Sequence, residues 1–497
     1  MRYMSTRDVA LRISPSQGIL QGISQEGGLL VPEQLPHVEL DLDRLKDMDY
    51  RELALHIMHP FFTDFDREEL RDRIHRAYDD KFSHPEIAPL VKVGDQYFLE
   101  LFHGPTLAFK DMALSILPHL LVGALKHLDM DKQVLILTAT SGDTGKAALE
   151  GFSNVEKIRI MVFYPQDGVS EIQKRQMITH GSDNSMVVGI HGNFDDAQNG
   201  VKELFNNADL RHRLTERNIL LSSANSINIG RLVPQIVYYF YGYAQLLKNN
   251  EIAKGESINV VVPTGNFGNI LAAYYAKGMG LPIHRLICAS NENNVLTDFF
   301  HTGNYSIKRP FRMTSSPSMD ILISSNLERL LFEISGRDDH LIKKLIQQLQ
   351  SRGEYSIEGE MLKRLEDFYA GFAKEEDVFK EISQLFQREN YLMDPHTAVA
   401  YRVYQNYRNS TQDPTKTVIA STASPFKFGR SVCHALGLEQ PEDDFALLEV
   451  LSKATGLDIP QGIKDLEHRS ILHPYTCHKD EMEKMLEDFI REEEGHD

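Results

Sequence analysis

One lysine in this chain stands where an amine can be made reactive. Lys110 follows the apolar run Leu107-Ala108-Phe109 within Leu101–Asp111 and precedes a strongly apolar helix that begins near Met112. An apolar setting disfavours the charged form of an amine and lowers its pKa. The neutral amine is the form that condenses with a carbonyl group. Asp111 suits the first turn of the following helix by the dipole argument. Taken alone, the segment reads more simply as an exposed lysine at a helix start, since lysines are seldom buried.

Four further segments combine small, hydroxyl and cationic residues. Thr138–Lys146 (Thr-Ala-Thr-Ser-Gly-Asp-Thr-Gly-Lys) lies between a predicted strand and a predicted helix. Its backbone N–H groups at a helix start make a site for a carboxylate or a phosphate. A nucleotide P-loop would need glycine at 140 and serine or threonine at 147; this chain has Thr140 and Ala147. Pro263–Asn269 (Pro-Thr-Gly-Asn-Phe-Gly-Asn) also follows a strand, and its two glycines allow successive N–H groups to cup one phosphate. It is not the dinucleotide G-x-G-x-x-G pattern. Ser222–Arg231 ends on an arginine able to clamp an anion in a fork. Ala420–Gly429 offers a threonine hydroxyl to a ring nitrogen. Each segment alone is equally or better read as an ordinary capped turn, glycine turn, surface arginine or strand-to-helix loop. Four of the loops leave predicted strands, where open α/β sheets place ligands. Together with a lysine in an apolar setting, they fit a cofactor aldehyde with a phosphate tail.

The surrounding elements are those such loops require. From Gln133 onward, apolar runs (Gln133–Thr138, Ile158–Phe163, Ser185–Ile190, Ile219–Leu221) alternate with helical ones (Gly145–Phe152, Val169–Thr179, Phe194–Phe205). Ile258–Val262, Asn269–Lys277, Ile283–Ala289 and Lys416–Ala420 continue the alternation. This pattern predicts βαβ units and parallel sheets covered on both faces. Residues 1–90 read as a small helical unit. Leu341–Gln350, Glu358–Phe368 and Lys380–Gln387 read as an inserted or flanking helical layer. Glu483–Asp497 reads as a charged, solvated helix.

Composition narrows the partners. The 497 residues exceed one ordinary core. A net charge of −18, from 53 basic and 71 acidic side chains, opposes binding to a nucleic-acid backbone. Cys288, Cys433 and Cys477 are odd in number and far apart, which suggests no disulfide framework, no zinc or other metal site, and a reducing cytoplasm. Met1–Gln21 lacks the apolar region of a signal peptide. The longest uncharged stretch, Ser257–Ala276, is broken by Pro263, Gly265, Asn266, Gly268 and Asn269, so no membrane span is expected.

The combination resembles the threonine synthases, pyridoxal-phosphate enzymes of the tryptophan-synthase-β type (fold type II). The likeness runs through most of the chain: Ser5–Arg7, Gly18–Pro32, Phe102–Asp111, Thr140–Gly145, Asn225–Arg231, Thr264–Asn269, Asp394–Ala398 and Ala454–Gly462. Phe102–Asp111 matches the family's cofactor-lysine segment. The resemblance implies an α/β fold with two open, twisted, largely parallel sheets covered by helices, plus a small N-terminal helical unit and a helical insertion. The corresponding expectation for the domains is an N-terminal unit over 1–90 and a cofactor-binding core over 91–325, in which 100–225 forms the smaller sheet domain. A helical insertion over 326–390 and a C-terminal part over 391–497, completing the large domain, follow. It also implies pyridoxal 5'-phosphate held as a Schiff base on Lys110, its phosphate cupped by Gly265, Asn266, Phe267, Gly268 and Asn269, and its pyridine nitrogen faced by Thr422. Ser141, Gly142, Asp143 and Thr144 would receive the substrate carboxylate and contact the ring's 3-hydroxyl side. Arg231, Asn225 and Lys146 would hold the substrate phosphate. The implied substrate is the small molecule O-phospho-L-homoserine, converted with water to L-threonine and phosphate.

Two departures stand out. Where the family often reads Thr-Ala-His-Pro-Ala-Lys-Phe, this chain has Ser424 for the histidine and Phe426 for the alanine. Asp143 stands where many relatives of the same fold type carry asparagine. Other readings of the same residues are a serine/threonine dehydratase, a phospholyase acting on another phosphorylated amine, or a non-catalytic binding protein on this scaffold; the intact Lys110 speaks against the last.

Overall fold

A computed structural model describes residues 1–38, 41–140, 142–166, 169–464 and 466–491. Two sheets organise it. The larger has six strands in the order Phe368–Phe372, Ile283–Ser290, Ile258–Pro263, Thr417–Ser421, Gln96–Glu100, Leu90–Val93. All neighbours are parallel except the last pair. The smaller has five parallel strands in the order Tyr475–Cys477, Ser185–Ile190, Ile158–Pro165, Gln133–Ala139, Ile219–Ser222. Strands Ile258–Pro263, Ile158–Pro165 and Ser185–Ile190 are buried at every position. Both faces are therefore covered, and a continuous apolar run, rather than alternation, marks such a strand.

The helix Ile229–Lys248 is the central prop. Asn228 caps it, donating its own side chain's Nδ2 to the Ile19 carbonyl while Oδ1 accepts from Gly230. Every residue from Ile229 to Leu246 is buried. It packs on the helices Tyr50–Met58 and Gly268–Gly278, so the N-terminal unit rests on the element that carries Arg231.

That N-terminal unit is not wholly helical. Tyr3–Ser5, Asp8–Ile13 and Leu30–Pro32 form a three-stranded antiparallel sheet. Two of its strands have three residues each, too few for an alternating pattern to register. The unit is tied to the body by Arg7, which meets Glu328 through Nε at 2.9 Å and Nη2 at 2.7 Å.

Residues 326–390 are mostly helical, but Phe368–Phe372 forms the edge strand of the larger sheet and Glu354–Ser356 pairs with Asn304–Ser306. The helix expected over Glu358–Phe368 shrinks to Glu360–Lys363: Gly359 at φ 62° delays its start, and the chain leaves it to enter the strand Phe368–Phe372. The C-terminal helix Met482–Arg491 is also not a solvated tail. It buries Met482, Leu486, Phe489 and Ile490, with the Arg159 guanidinium 4.2 Å from the Phe489 ring. Residues 492–497 of that expected helix lie outside the described residues. Among the described residues, no helix is long and apolar enough to cross a membrane, and no group of His, Cys, Asp and Glu could hold a metal ion. All three cysteines are buried and unpaired.

Candidate active site

Lys110 lies at the start of the short helix Asp111–Leu114, and its side chain is 12% exposed. The loop before it is fastened at both ends. Asp111 accepts from the Thr106 N–H at 2.8 Å and hydroxyl at 2.6 Å. That local lock, more than a dipole contact, explains an aspartate here; burial raises its carboxyl to about 6. On the other side, Phe109 donates its N–H to the Thr422 carbonyl (2.8 Å), Ser424 donates to the Leu107 carbonyl (3.0 Å), and Ala108 bridges Ala423. The segments containing Lys110 and Thr422 are thus zipped together. Thr422 is buried just after the strand Thr417–Ser421, and its N–H donates to the Thr397 hydroxyl at 3.3 Å.

The Lys110 amine is 3.3 Å from Asp143 Oδ2 and 3.1 Å from Ser318 Oγ. Burial lowers its pKa. The charge on Asp143 opposes that shift, while Lys427 and Arg231 reinforce it. The setting expected from the apolar run is present: a lysine whose charged form is disfavoured by burial. Asp143 opens the helix Asp143–Phe152. Its Oδ2 also accepts from Ser318 Oγ (3.0 Å), and its Oδ1 meets Gln173 Nε2 (2.8 Å) and Lys427 Nζ (3.1 Å). Burial alone would raise the Asp143 carboxyl, but the Lys427 and Lys110 charges hold it well below the usual carboxylate range.

Gly142, at φ 136°, takes a backbone shape that side chains rarely adopt, and a Cβ there would meet Gln173 at 2.6 Å. Gly142 and Gly145 both donate to the Thr140 hydroxyl at 2.9 Å. Thr144 is partly exposed beside Asp143. Ser141 lies outside the described residues.

The Gly265–Asn269 loop joins the strand Ile258–Pro263 to the helix Gly268–Gly278. Phe267 sits at φ 65°, and no side chain caps this helix. Ser324 donates to the Gly265 carbonyl at 2.7 Å, and Asn326 donates to the Asn266 carbonyl through N at 3.0 Å and Nδ2 at 3.1 Å. A Cβ on Gly265 would lie 2.8 Å from the Ser318 carbonyl, so the loop must pass close to that segment. Asn269 Oδ1 accepts from Tyr238 at 2.7 Å and also from Tyr239, while its Nδ2 is buried without a partner.

Arg231, in the first turn of Ile229–Lys248, is 4% exposed. Its Nη1 donates to the Ala224 carbonyl at 2.7 Å, and its Nε is buried without a partner. Burial lowers its pKa to about 10. A buried cation with no carboxylate among the described residues is poised for an anion. Asn225 is exposed on the same loop. Lys146 is buried, but its bonds go to Glu150 Oε2 (2.8 Å) and His180 Nδ1 (3.3 Å), not to Lys110, Asp143 or Arg231.

Three participants escaped the sequence reading. Ser318 lies in the 3₁₀ turn Pro317–Met319, away from the strand ends that mark the other loops. Lys427 matches the lysine of the family motif after Thr422, but no role was attached to it. His396 accepts from the Ser318 N–H through Nε2 (3.2 Å) and meets Asp394 through Nδ1 (2.7 Å); in the sequence, Asp394–Ala398 shows only a family likeness. The donor set fits a phosphate-bearing aldehyde. It offers a depressed buried amine at Lys110, an uncapped helix start at Gly268, and two orphaned buried donors on Asn269 and Arg231.

Comparison with known proteins gives a consistent result. The family described as "Threonine synthase N terminus" matches residues 2–78, "Pyridoxal-phosphate dependent enzyme" matches 84–423, and "Threonine synthase, C-terminal" matches 397–470. The chain is 40% identical over 457 residues to human threonine synthase-like 1, covering 88% of this chain and 60% of that protein. It thus spans about 60% of the length of the threonine synthase-like 1 proteins it matches. It is 39% identical to threonine synthase of Pseudomonas aeruginosa, covering 87% of this chain and 90% of that one. Among solved structures, pyridoxal-phosphate-bound threonine synthase from Brucella melitensis matches with a TM-score of 0.88 at 35% identity, over 99% of both chains. The yeast threonine synthase matches with a TM-score of 0.89 at 31% identity, again over 99% of both.

Proposed function

The chain belongs to the threonine synthase family of pyridoxal-phosphate-dependent enzymes, and from that premise we propose that it converts O-phospho-L-homoserine and water to L-threonine and phosphate. This makes it a carbon–oxygen lyase acting on phosphate, at the last step of threonine formation. The observation that carries the reading is Arg231: a buried guanidinium within electrostatic reach of Lys110, with an orphaned Nε and no carboxylate partner among the described residues. A dehydratase that expels hydroxide has less use for such a group than an enzyme that releases phosphate.

In this reading Lys110 holds the cofactor covalently, Gly265–Asn269 and the Asn269 amide receive its phosphate, and Thr422 faces its ring nitrogen. The cofactor, when bound, supplies an electron sink that eases loss of protons from the substrate's carbons. The Lys110 amine, whose charged form burial disfavours, takes and returns those protons. Gly142, Asp143 and Thr144, with Ser141, receive the substrate carboxylate. Because Asp143 is already neutralised by Lys427, it does not repel that carboxylate. Arg231 holds the substrate phosphate and stabilises the charge that develops as it leaves. Asn225, on the same loop, joins Arg231 at the rim, and Lys146 contributes only if it exchanges its Glu150 and His180 bonds for the substrate. Three buried, unpaired cysteines support a reducing, cytoplasmic setting.

The test is product analysis. Protein incubated with phosphohomoserine releases threonine and phosphate in equal amounts. Formation of a 2-oxoacid from threonine, with no phosphate release from phosphohomoserine, would assign the dehydratase reaction instead.

A further inference from the structure

Asp143 is shared by two buried lysines, and only one of them is the reactive amine. Lys427 reaches it from the 3₁₀ turn Pro425–Phe428, with a side chain 1% exposed. Its Nζ stands 3.1 Å from Asp143 Oδ1 and donates to the Thr106 carbonyl at 2.7 Å. Thr106 is the residue that fastens Asp111 and hence the loop carrying Lys110. We propose that Lys427 is a positioning residue for the reaction: it holds the Asp143 carboxylate as its own ion partner, so that the nitrogen of Lys110 is not drawn into a lasting ion pair.

The division of Asp143 between its two oxygens supports this. Oδ1 takes Lys427 and Gln173; Oδ2 takes Ser318 and, at the longer distance of 3.3 Å, Lys110. Lys110 also faces Arg231 and the Phe109 ring, His396 lies within electrostatic reach of Asp143, and Asp111 lies within electrostatic reach of Lys427. Remove Lys427 and the buried carboxylate keeps one cation, Lys110. An uncompensated buried charge is costly, so the protonated state at the Lys110 nitrogen becomes favoured and its service as a base declines. A structural tie between Lys427 and Thr106 alone would not change that protonation.

This inference rests on Lys110 carrying the cofactor and not on the identity of the substrate. It is read on the holoenzyme by titrating the absorbance of the cofactor bound at Lys110 against pH, with thermal denaturation as a check of fold. For Lys427→Met the midpoint rises by about one to two pH units, the effect of losing one cation roughly 6–12 Å away at an effective dielectric of about 20. Lys427→Arg restores the wild-type midpoint. Asp143→Asn, which keeps Lys427 and removes the anion, moves the midpoint down. The proposal is overturned if Lys427→Met titrates like wild type, if Lys427→Arg shifts as far as Lys427→Met, or if Asp143→Asn moves the midpoint up. The titration needs no substrate, so an error in the phosphohomoserine assignment shows in the product assay and leaves these midpoints untouched.

Discussion

Replacing Arg231 by methionine separates a substrate-binding role from a structural one. Burial lowers the guanidinium from an ordinary 12.5 to about 10. At about 1.4 kcal/mol for each pKa unit, the charged form bears a penalty of about 3 kcal/mol. The sign follows from a cation with a depressed folded-state pKa: the penalty is present at every pH below about 10 and so at any assay pH. Methionine removes it and also removes the bond to the Ala224 carbonyl, whose loss costs about 1–3 kcal/mol. The two nearly cancel, so the unfolding free energy of Arg231→Met stays within about 2 kcal/mol of wild type. Affinity for the substrate phosphate has no such compensation. Losing one partner of a buried charge pair costs about 2–5 kcal/mol, which lowers kcat/KM for phosphohomoserine by about 30-fold to several thousand-fold. The loss appears as a raised KM and, because Arg231 also stabilises the departing charge, a lowered kcat, and cofactor absorbance is retained. Steady-state phosphate release and urea unfolding on the same preparations read both quantities. Kinetics within twofold of wild type, or a fall in stability as large as the fall in activity, would refute the role given to Arg231.

Other perturbations probe the cofactor site and its supports. Lys110→Ala abolishes the bound-cofactor absorbance and turnover together. Asn269→Leu removes the orphaned amide donor and raises the cofactor Kd by about tenfold, the worth of one hydrogen bond to a charged group, as read by fluorescence titration. Gly265→Val pushes the loop off the Ser318 carbonyl and lowers cofactor occupancy in the purified protein. The Asp111 carboxyl is raised from 3.8 to about 6; it therefore favours the fold below pH ~4 and loses that contribution as pH rises through about 6. Asp111→Asn does not titrate there, so between pH ~4 and ~7 wild type loses stability relative to the variant. Urea midpoints that run parallel across that range would contradict the assignment.

Much of this architecture was legible because its signals are local. Fully buried parallel strands such as Ile258–Pro263 appear as unbroken apolar runs, and the loops that leave them carry the glycines and threonines that helix starts at a ligand require. Lys110 could be singled out because apolar residues precede and follow it. What escaped depends on contacts distant in sequence. Ser318 meets Asp143 across 175 residues, from a three-residue 3₁₀ turn too short for a periodic signal. Lys427 is buried only because Thr106 and Asp143 converge on it, and a lysine is by default read as exposed. Asp111 was assigned to the helix dipole, whereas the structure uses it to lock Thr106. Phe368–Phe372 was lost at the end of a supposed helix, since no glycine or proline between Lys363 and Phe368 marks the break.

The central claim is that Lys110 carries the cofactor, and one covalent measurement tests it. Reduction of the purified holoenzyme with borohydride, followed by peptide mass spectrometry, should place the reduced pyridoxyl phosphate on Lys110 alone. Label on any other lysine, Lys427 and Lys146 included, or no fixed label at all, would contradict the account.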